Sequence, residues 1–160
     1  MARRVFFSFH YERDIWRANV VRNSWLLKDG RDDAGFWDAS LREEAKKQGD
    51  EAIKRMINNG LQNTSVTAVL IGAETADRTW VRYEIHRSAE RGNGLLGIYI
   101  HNIKNRYGQP DTKGDNPFAR FHTTRPTGDV NLSKRVPVYD WVQHDGYNGI
   151  GNWIEDAITI

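Results

Sequence analysis

The sequence predicts an α/β fold in which helices cover both faces of a central five-stranded parallel sheet, forming a three-layer sandwich. Short runs of β-branched and aromatic residues alternate along the chain with longer stretches of helical periodicity. This alternation is typical of parallel sheets whose strands are joined by crossover helices. The run 65–72 (SVTAVLIG) is almost wholly apolar, which indicates a central strand covered on both faces.

Length and composition predict one domain, 1–160, because 160 residues without a linker or internal repeat suit a single core. A net charge of +2 does not favour a nucleic-acid partner. No apolar run approaches the roughly 20 residues of a membrane span, so we expect no membrane association. The sequence has no cysteine, which excludes disulfides and a cysteine nucleophile and suits a cytoplasmic protein.

The strands are predicted from short apolar runs, most of them β-branched or aromatic. They lie at 5–9, 34–38, 65–72, 94–100 and 136–142. Between the last two strands, the segment 101–135 is polar and rich in Gly, Asn, Asp, Thr and Pro. A loop of this length inside a compact domain is often functional or mobile.

The helices are predicted from apolar side chains that recur at helical spacing. They lie at 15–27, at 41–58, from a cap at Asp77 to Gly92, and at 147–158. Ser40 and Glu43 have the spacing of a capping box at the start of the second helix. Gly49 is a weak point within that helix.

In open parallel sheets, ligands bind beyond the carboxyl ends of the strands, where the strand order reverses. The candidate site residues are therefore those that directly follow each strand. After the first strand come Ser8, Phe9, His10 and Tyr11, and the second strand ends at Asp38. The segment 73–77 and the residues from His101 onward follow the third and fourth strands.

Several catalytic signatures are missing from the sequence. There is no glycine-rich phosphate loop and no G-x-S-x-G motif, which disfavours Rossmann, P-loop and α/β-hydrolase functions. The five histidines do not have the spacing of a metal site. We therefore expect neither a metal nor a resident cofactor.

Trp80 and Glu84 are four residues apart on the third predicted helix, so they share a face. Val81 and Ile85 are predicted to face the sheet. This spacing would hold Glu84 beside a tryptophan at the rim of the expected crevice. By spacing alone, however, a glutamate on a helix is most often a solvated surface charge, and both interpretations stay open.

The segments 5–9 (VFFSF) and 79–84 (TWVRYE) resemble the opening strand and the Trp-x-x-x-Glu motif of TIR domains. The chain is most similar to the TIR-like proteins of Thoeris antiphage systems, in which several of its segments recur in the same order. These segments are RVFFSFHY at 4–11, DASL at 38–41, NTSVT at 63–67, WVRYEI at 80–85 and VYDWV at 138–142. One departure is that His10 and Tyr11 stand where many TIR domains have arginines.

The resemblance implies a flavodoxin-like, TIR-type fold and an enzyme that takes NAD as its substrate. It implies that nicotinamide is cleaved off and that a cyclic ADP-ribose isomer is formed, which activates a separate effector protein. It also implies self-assembly on activation, in response to a phage-derived trigger. Glu84 would be the catalytic residue. The expected substrate-binding residues are Ser8, Phe9, His10, Tyr11, Asp38 and Trp80.

Cleavage of the nicotinamide–ribose bond passes through an oxocarbenium-like transition state, as in glycoside hydrolysis. An ionised Glu84 near a helix start would stabilise that charge and contact the ribose hydroxyls. Phe9, Tyr11 and Trp80 are the candidates for stacking on the nicotinamide or adenine ring. Attack by water would release ADP-ribose, whereas attack by another atom of the same molecule would form a cyclic isomer.

Each candidate residue also has a purely structural interpretation. Phe9 could be core, His10 and Tyr11 loop surface, Trp80 packing, and Asp38 a helix cap. The competing function is a non-enzymatic signalling adaptor that acts by self-assembly. A phospho-accepting receiver domain is disfavoured, because no lysine follows Val142.

Overall fold

The computed structural model describes residues 3–35, 37, 39–125 and 128–158. The strands are β1 (Arg3–Ser8), β2 (Arg31–Gly35), β3 (Val66–Ile71), β4 (Gly94–Tyr99), β5 (His122–Arg125), β6 (Gly128–Asn131) and β7 (Val138–Asp140). Five of them form one parallel sheet in the order β2-β1-β3-β4-β7, and β5 and β6 form a separate antiparallel pair. The predicted five-stranded parallel sheet is confirmed.

Helices cover both faces of this sheet. They are α1 (Tyr11–Leu26), α2 (Ala39–Gln48), α3 (Asp50–Leu61), α4 (Thr79–Arg91) and α5 (Gly146–Ile158). One core packs α1 and α5 against one face of the sheet. Two further clusters pack α3 and α4 against the other face, and the three-layer α/β sandwich is confirmed.

The second predicted helix, 41–58, is wrong as a single element. It is split at Gly49, whose backbone has φ 98° and ψ −178°, a conformation that favours glycine because a side chain would be strained there. The chain changes direction at this glycine. Gly49, which the sequence indicated as unfavourable inside a helix, therefore separates α2 from α3. Because α2 begins at Ala39, Ser40 lies within its first turn and not before it, contrary to the capping-box prediction.

Two other boundaries differ from the sequence predictions. Asp77 does not cap α4, because it ends a 3₁₀ turn (Thr75–Asp77) and Arg78 holds the cap position without a side-chain cap bond. The second strand lies at Arg31–Gly35 and not at 34–38. This edge strand has the charged sequence RDDAG, and edge strands tolerate charge because one side remains unpaired, so its apolar signal was weak.

The strand order reverses between β1 and β3, because the chain adds β2 on one side of β1 and then crosses to β3 on the other. Side chains alternate along β1. Val5 and Phe7 pack in the core that contains α1 and α5, and Phe6 packs in a cluster with α3. Ser8 continues the alternation from Phe6, so its hydroxyl is directed to the face that carries α4.

The polar segment 101–135 contains more structure than its sequence indicates. It includes two short 3₁₀ turns and the β5–β6 hairpin. Phe118 is fully buried and packs with Ile71 and Leu132 in the core beside α4, so the segment is anchored to the domain. No helix in the described ranges is long and apolar enough to cross a membrane.

Candidate active site at the carboxyl end of the sheet

Glu84 is buried, with only 2% of its surface exposed. The Ser8 hydroxyl at the end of β1 donates a hydrogen bond of 2.7 Å to Oε1 of Glu84. Within the described part of the chain, Oε2 of Glu84 is buried and has no hydrogen-bond partner. The interpretation of Glu84 as a solvated surface charge is therefore wrong. A buried, half-satisfied carboxyl group lies beside the point where the strand order reverses.

Burial raises the pKa of Glu84 to about 8, although the Ser8 hydrogen bond and the positive charge of Arg42 lower it in part. The group is therefore mostly protonated at neutral pH in the ligand-free protein, which differs from the ionised form expected from the sequence. The helix dipole contributes little here, because Glu84 lies in the second turn of α4 and that effect fades within the first turn.

Phe9, Tyr11 and Trp37 form an aromatic group next to Ser8. The Phe9 ring lies 4.7 Å from the Trp37 ring and 6.2 Å from the Tyr11 ring, measured between centroids. Phe9 is 7% exposed, so most of its surface packs in the core. Tyr11 is half-buried and its ring lies 5.2 Å from the guanidinium carbon of Arg42. Tyr11 therefore has more surface left for a ligand than Phe9.

His10 is the N-cap of α1, and its Nδ1 accepts a hydrogen bond of 3.4 Å from the Arg13 backbone. Burial, and after it the charge of Arg78, lowers the pKa of His10, so the imidazole is neutral at pH 7. This cap explains why α1 begins at Tyr11, four residues before its predicted start at residue 15. His10 thus has a structural role at the entrance of the site.

Trp80 lies one turn before Glu84 on α4 and is half-buried. It packs in the cluster with Ala45 and Ile53, and its ring lies edge-on to Tyr83 with centroids 5.8 Å apart. Val81 and Ile85 are buried with β3 in the neighbouring cluster, as predicted. Asp38, the remaining predicted site residue, lies outside the described residues.

Glu12 is a site residue that sequence reasoning missed. Its carboxylate is bound by Arg42, by Lys46 at 2.8 Å and by Arg78 at 3.0 Å, and Nδ1 of His10 lies 3.4 Å away. Burial raises the pKa of Glu12, but hydrogen bonds from Lys46 and Arg42 outweigh it and bring the pKa to about 2. Arg42 and Lys46 lie on α2 and Arg78 precedes α4, whereas Glu12 lies on α1, so no sequence spacing indicates that they meet.

Asp14 was also missed. It is fully buried, and neither carboxyl oxygen has a hydrogen-bond partner in the described residues. Burial raises its pKa to about 6, against the opposing charges of Arg13 and Arg17. Its carboxyl group lies against Gly72 at the end of β3, where an added Cβ would collide with it. Only the position of Asp14 after the first strand could have suggested it.

No group of three or more His, Asp or Glu side chains in the described ranges is arranged to hold a metal ion. The carboxyl groups at this end of the sheet are bound by cations or buried singly. Ser8 and Glu84 are in direct contact, Phe9 and Tyr11 are neighbours, and Trp80 lies one helical turn away.

The chain matches the family model of the Thoeris protein ThsB, TIR-like domain, over residues 6–105. The chain belongs to this family. It is 44% identical over 191 aligned positions, covering 96% of this chain and 100% of the relative, to the protein named "Putative cyclic ADP-D-ribose synthase ThsB1" of Bacillus cereus (strain MSX-D12). The matched range contains the Ser8–Glu84 contact and the three cations around Glu12.

Proposed function

We propose that this ThsB-family protein cleaves the nicotinamide–ribose bond of NAD and joins the remaining ADP-ribose into a cyclic isomer, which is a second messenger in antiphage immunity. The observation that supports this most directly is the buried Glu84 carboxyl group, held by Ser8 at the carboxyl end of β1. The name of the Bacillus cereus relative points to the same product class.

In the proposed reaction, the bond between the ribose anomeric carbon and the nicotinamide nitrogen breaks, and nicotinamide leaves with the electron pair. Positive charge develops on the ribose, as in glycoside hydrolysis. A nucleophilic atom of the same molecule then bonds to that carbon and loses a proton to solvent, which closes the ring. Glu84 would stabilise the developing charge and bind the ribose hydroxyls.

The protonated state of Glu84 in the free protein is compatible with this role. The nicotinamide ring of NAD is cationic, and a positive charge within about 4–6 Å favours the ionised form of a carboxyl group. Substrate binding should therefore lower the pKa of Glu84 and produce the carboxylate where it is needed. The Ser8 hydroxyl would hold the ionised Oε1 in place, and the unpartnered Oε2 would face the substrate.

An adaptor acting only by self-assembly does not require such a group. A buried polar atom without a partner costs about 1–3 kcal/mol of stability, and a hydrophobic residue at position 84 would avoid that cost. Among the aromatic candidates, Tyr11 and Trp80 have exposed surface for stacking on the bases, whereas Phe9 mainly supports them. For Asp38 we retain the sequence-based proposal of a substrate contact.

The proposal is tested by incubating concentrated protein with NAD and separating the products by chromatography with mass analysis. Wild-type protein should release nicotinamide and form a product lighter than ADP-ribose by one water. Glu84→Gln should do neither. Glu90→Gln is the matched control, because Glu90 is an exposed glutamate on the same helix that pairs with His86 and Arg87.

Nicotinamide release that is equal in Glu84→Gln and wild type would overturn the assignment of Glu84. ADP-ribose as the sole product would make the protein a hydrolase. If none of the three proteins releases nicotinamide, addition of lysate from phage-infected cells tests for the trigger. Release that stays absent with the lysate would favour the adaptor.

We further propose that full activity requires self-assembly and that the cyclic product is sensed by a separate effector protein. The rate per molecule should then rise with protein concentration. Turnover at the full rate by dilute monomer, measured alongside light scattering, would contradict the assembly requirement.

A further inference from the structure

Two polar contacts that lie one helical turn apart join α4 to the sheet. The Glu84 carboxyl group is bound by Ser8 on β1, and the hydroxyl oxygens of Ser88 on α4 and Thr67 on β3 are 2.7 Å apart. Ser88 and Thr67 have no exposed surface. Apolar side chains of α4, such as Ile85, pack on the same face of the sheet. The first contact belongs to the proposed active site, whereas the second has no part in the proposed reaction.

The second contact belongs to a chain of hydrogen bonds with a single direction. The Ser88 hydroxyl donates to the Glu84 carbonyl at 2.6 Å, so its oxygen accepts the proton of the Thr67 hydroxyl. The Asn93 amide donates to the hydroxyls of Thr67 at 3.2 Å and of Thr64 at 3.0 Å. The Thr64 hydroxyl donates in turn to the last carbonyl of α3. Each hydroxyl proton of the chain therefore has a defined acceptor.

The two contacts lie on one face of α4 and on two neighbouring strands. Glu84 and Ser88 are four residues apart on the helix, so they share a face. Ser8 on β1 pairs with Val69 on β3, and Thr67 lies two residues before Val69 and faces the same side of the sheet. Hydrogen bonds require a defined distance and angle, whereas apolar contacts have no direction. The two contacts therefore define the position and the rotation of α4 on the sheet.

We propose that Thr67 and Ser88 are positioning residues, whose buried hydrogen bond fixes α4 on β3 at the register in which the Glu84 carboxyl group meets Ser8. The catalytic consequence of this inference rests on the proposed function. A shift of α4 that lengthened the Thr67–Ser88 bond would leave buried hydroxyl groups poorly bonded, which is costly. Because Ser88 also binds the Glu84 carbonyl, the constraint acts on the backbone of Glu84 itself.

Stability alone does not explain a hydroxyl at position 67. Thr67 is the single polar residue of β3 (VTAVLI), and valine has the same branched shape without a polar group. A buried hydrogen bond adds little net stability over apolar groups of the same shape. What the hydroxyl adds is a directional contact, and it lies opposite the residue one turn after Glu84.

The first test compares Thr67→Val with Thr67→Ser by steady-state kinetics of nicotinamide release from NAD. Thr67→Val keeps the branched shape and removes the hydroxyl, whereas Thr67→Ser keeps the hydroxyl and removes a methyl group. Thr67→Val should lower kcat about tenfold or more with little change in KM, because a small displacement of a group that acts in the transition state is costly. Thr67→Ser should keep most of the wild-type kcat.

The second test removes the hydroxyl from the helix. Ser88→Ala should lower kcat as Thr67→Val does, and the double variant should be no worse than either single one, because the two residues act as a unit. The matched control is Ser24→Ala. Ser24 is a buried serine on α1 whose hydroxyl has no partner among the described residues, so its loss should leave kcat unchanged. Each kcat is referred to the folded fraction, measured by circular dichroism.

A third measurement does not depend on turnover. The pKa of Glu84 is measured in the free protein by NMR of carbon-13-labelled glutamate carboxyl groups, and the signal missing from Glu84→Gln identifies the residue. The Ser8 hydroxyl on β1 and the charge of Arg42 on α2 both lower this pKa. Movement of the carboxyl group away from Ser8 should therefore raise the pKa in Thr67→Val and Ser88→Ala, but not in Thr67→Ser.

An unchanged kcat in Thr67→Val and Ser88→Ala would overturn the inference, and so would equal losses in Thr67→Val and Thr67→Ser. A fall in kcat without a rise in the pKa of Glu84 would show that the hydroxyls do not act through Glu84. The outcome is separable from the proposed function. If wild type releases no nicotinamide, the reaction fails and the pKa measurement still decides whether Thr67 and Ser88 position Glu84.

Discussion

At the amino-terminal end of the sheet, a cavity of about 430 Å³ lies between α1, β1, β2 and α5. Two of its three cationic side chains are held by contacts with neighbouring elements. Arg3 binds Glu155 at 3.0 Å, and Arg31 donates to the Trp25 carbonyl at 3.2 Å while its guanidinium lies 4.3 Å from the Trp25 ring centroid. These contacts join the helices to the strand ends, and the third cation, Lys28, is exposed.

At the carboxyl-terminal end, the cavity beside Glu12 has a similar volume but very different surroundings. Two buried carboxyl groups, Asp14 and Glu84, keep oxygen atoms without partners in the described chain. Three cations share one carboxylate. Cavity volume therefore does not distinguish the two ends. Buried carboxyl oxygens without hydrogen-bond partners do, because they cost stability that a purely structural region would avoid.

The largest expected effect is a loss of activity when the carboxylate of Glu84 is removed at the carboxyl-terminal end of the sheet. Removal of the Glu155 carboxylate at the amino-terminal end should have no such effect. Glu84→Gln should lower nicotinamide release about 100-fold or more, the usual cost of losing a group that stabilises transition-state charge. Glu155→Gln, at the amino-terminal end, should leave the rate unchanged. Steady-state kinetics of both variants measure the difference, and equal losses would remove the distinction between the ends.

The second effect is the pH dependence of the reaction. Since the pKa of Glu84 is about 8 in the free protein, kcat/KM should rise nearly tenfold per pH unit from pH 6 and level off above about pH 8. The profile of kcat should level off at a lower pH, because the bound cationic nicotinamide lowers the pKa. A kcat/KM profile that is flat from pH 6 to 9 would show that Glu84 does not act as a carboxylate.

The third effect is on stability and concerns Asp14. Its pKa in the folded protein, about 6, lies above the ordinary value of 3.8, so the folded state holds the proton more tightly. Its contribution to stability is complete below about pH 4 and is lost as the pH rises to about 6. The loss should be about 3 kcal/mol, since one pKa unit corresponds to about 1.4 kcal/mol and the two pKa values differ by about two units.

Asp14→Asn has no such titration, so denaturant unfolding at several pH values isolates the effect. The stability of wild type relative to Asp14→Asn should fall between pH 4 and pH 6 and then stay constant. Parallel stability curves for the two proteins would mean that Asp14 is not buried as described.

The smallest effect compares two glycines at opposite ends of the sheet. Gly72→Ala should destabilise the protein by about 1–3 kcal/mol through overpacking, because the added Cβ collides with the Asp14 carboxyl group. Gly94→Ala, at the start of β4, collides with the backbone carbonyl of Ala157. The change Asp14→Ala should rescue Gly72→Ala but not Gly94→Ala, as measured by thermal unfolding of the single and double variants.

The sequence by itself determined the architecture. Runs of apolar residues predicted the strands because a central parallel strand must be apolar on both faces, and helical periodicity predicted the elements between them. The charged edge strand β2 and the break at Gly49 were mispredicted. Pairing with β1 holds the charged residues of β2 in a strand despite their weak apolar pattern. At Gly49 a change in backbone direction ends one helix although the apolar pattern continues. The motifs also singled out Ser8 and Glu84, which the fold brings into contact.

Only the tertiary structure decided the electrostatics of the site. Arg42, Lys46 and Arg78 are distant from Glu12 in sequence and meet it because α1 and α4 begin beside α2 in the fold. The protonation of Glu84 and Asp14 depends on burial, which removes the water that stabilises a charge. Spacing along a chain determines which side chains share a face, but solvent access and distance in space determine what charge they carry.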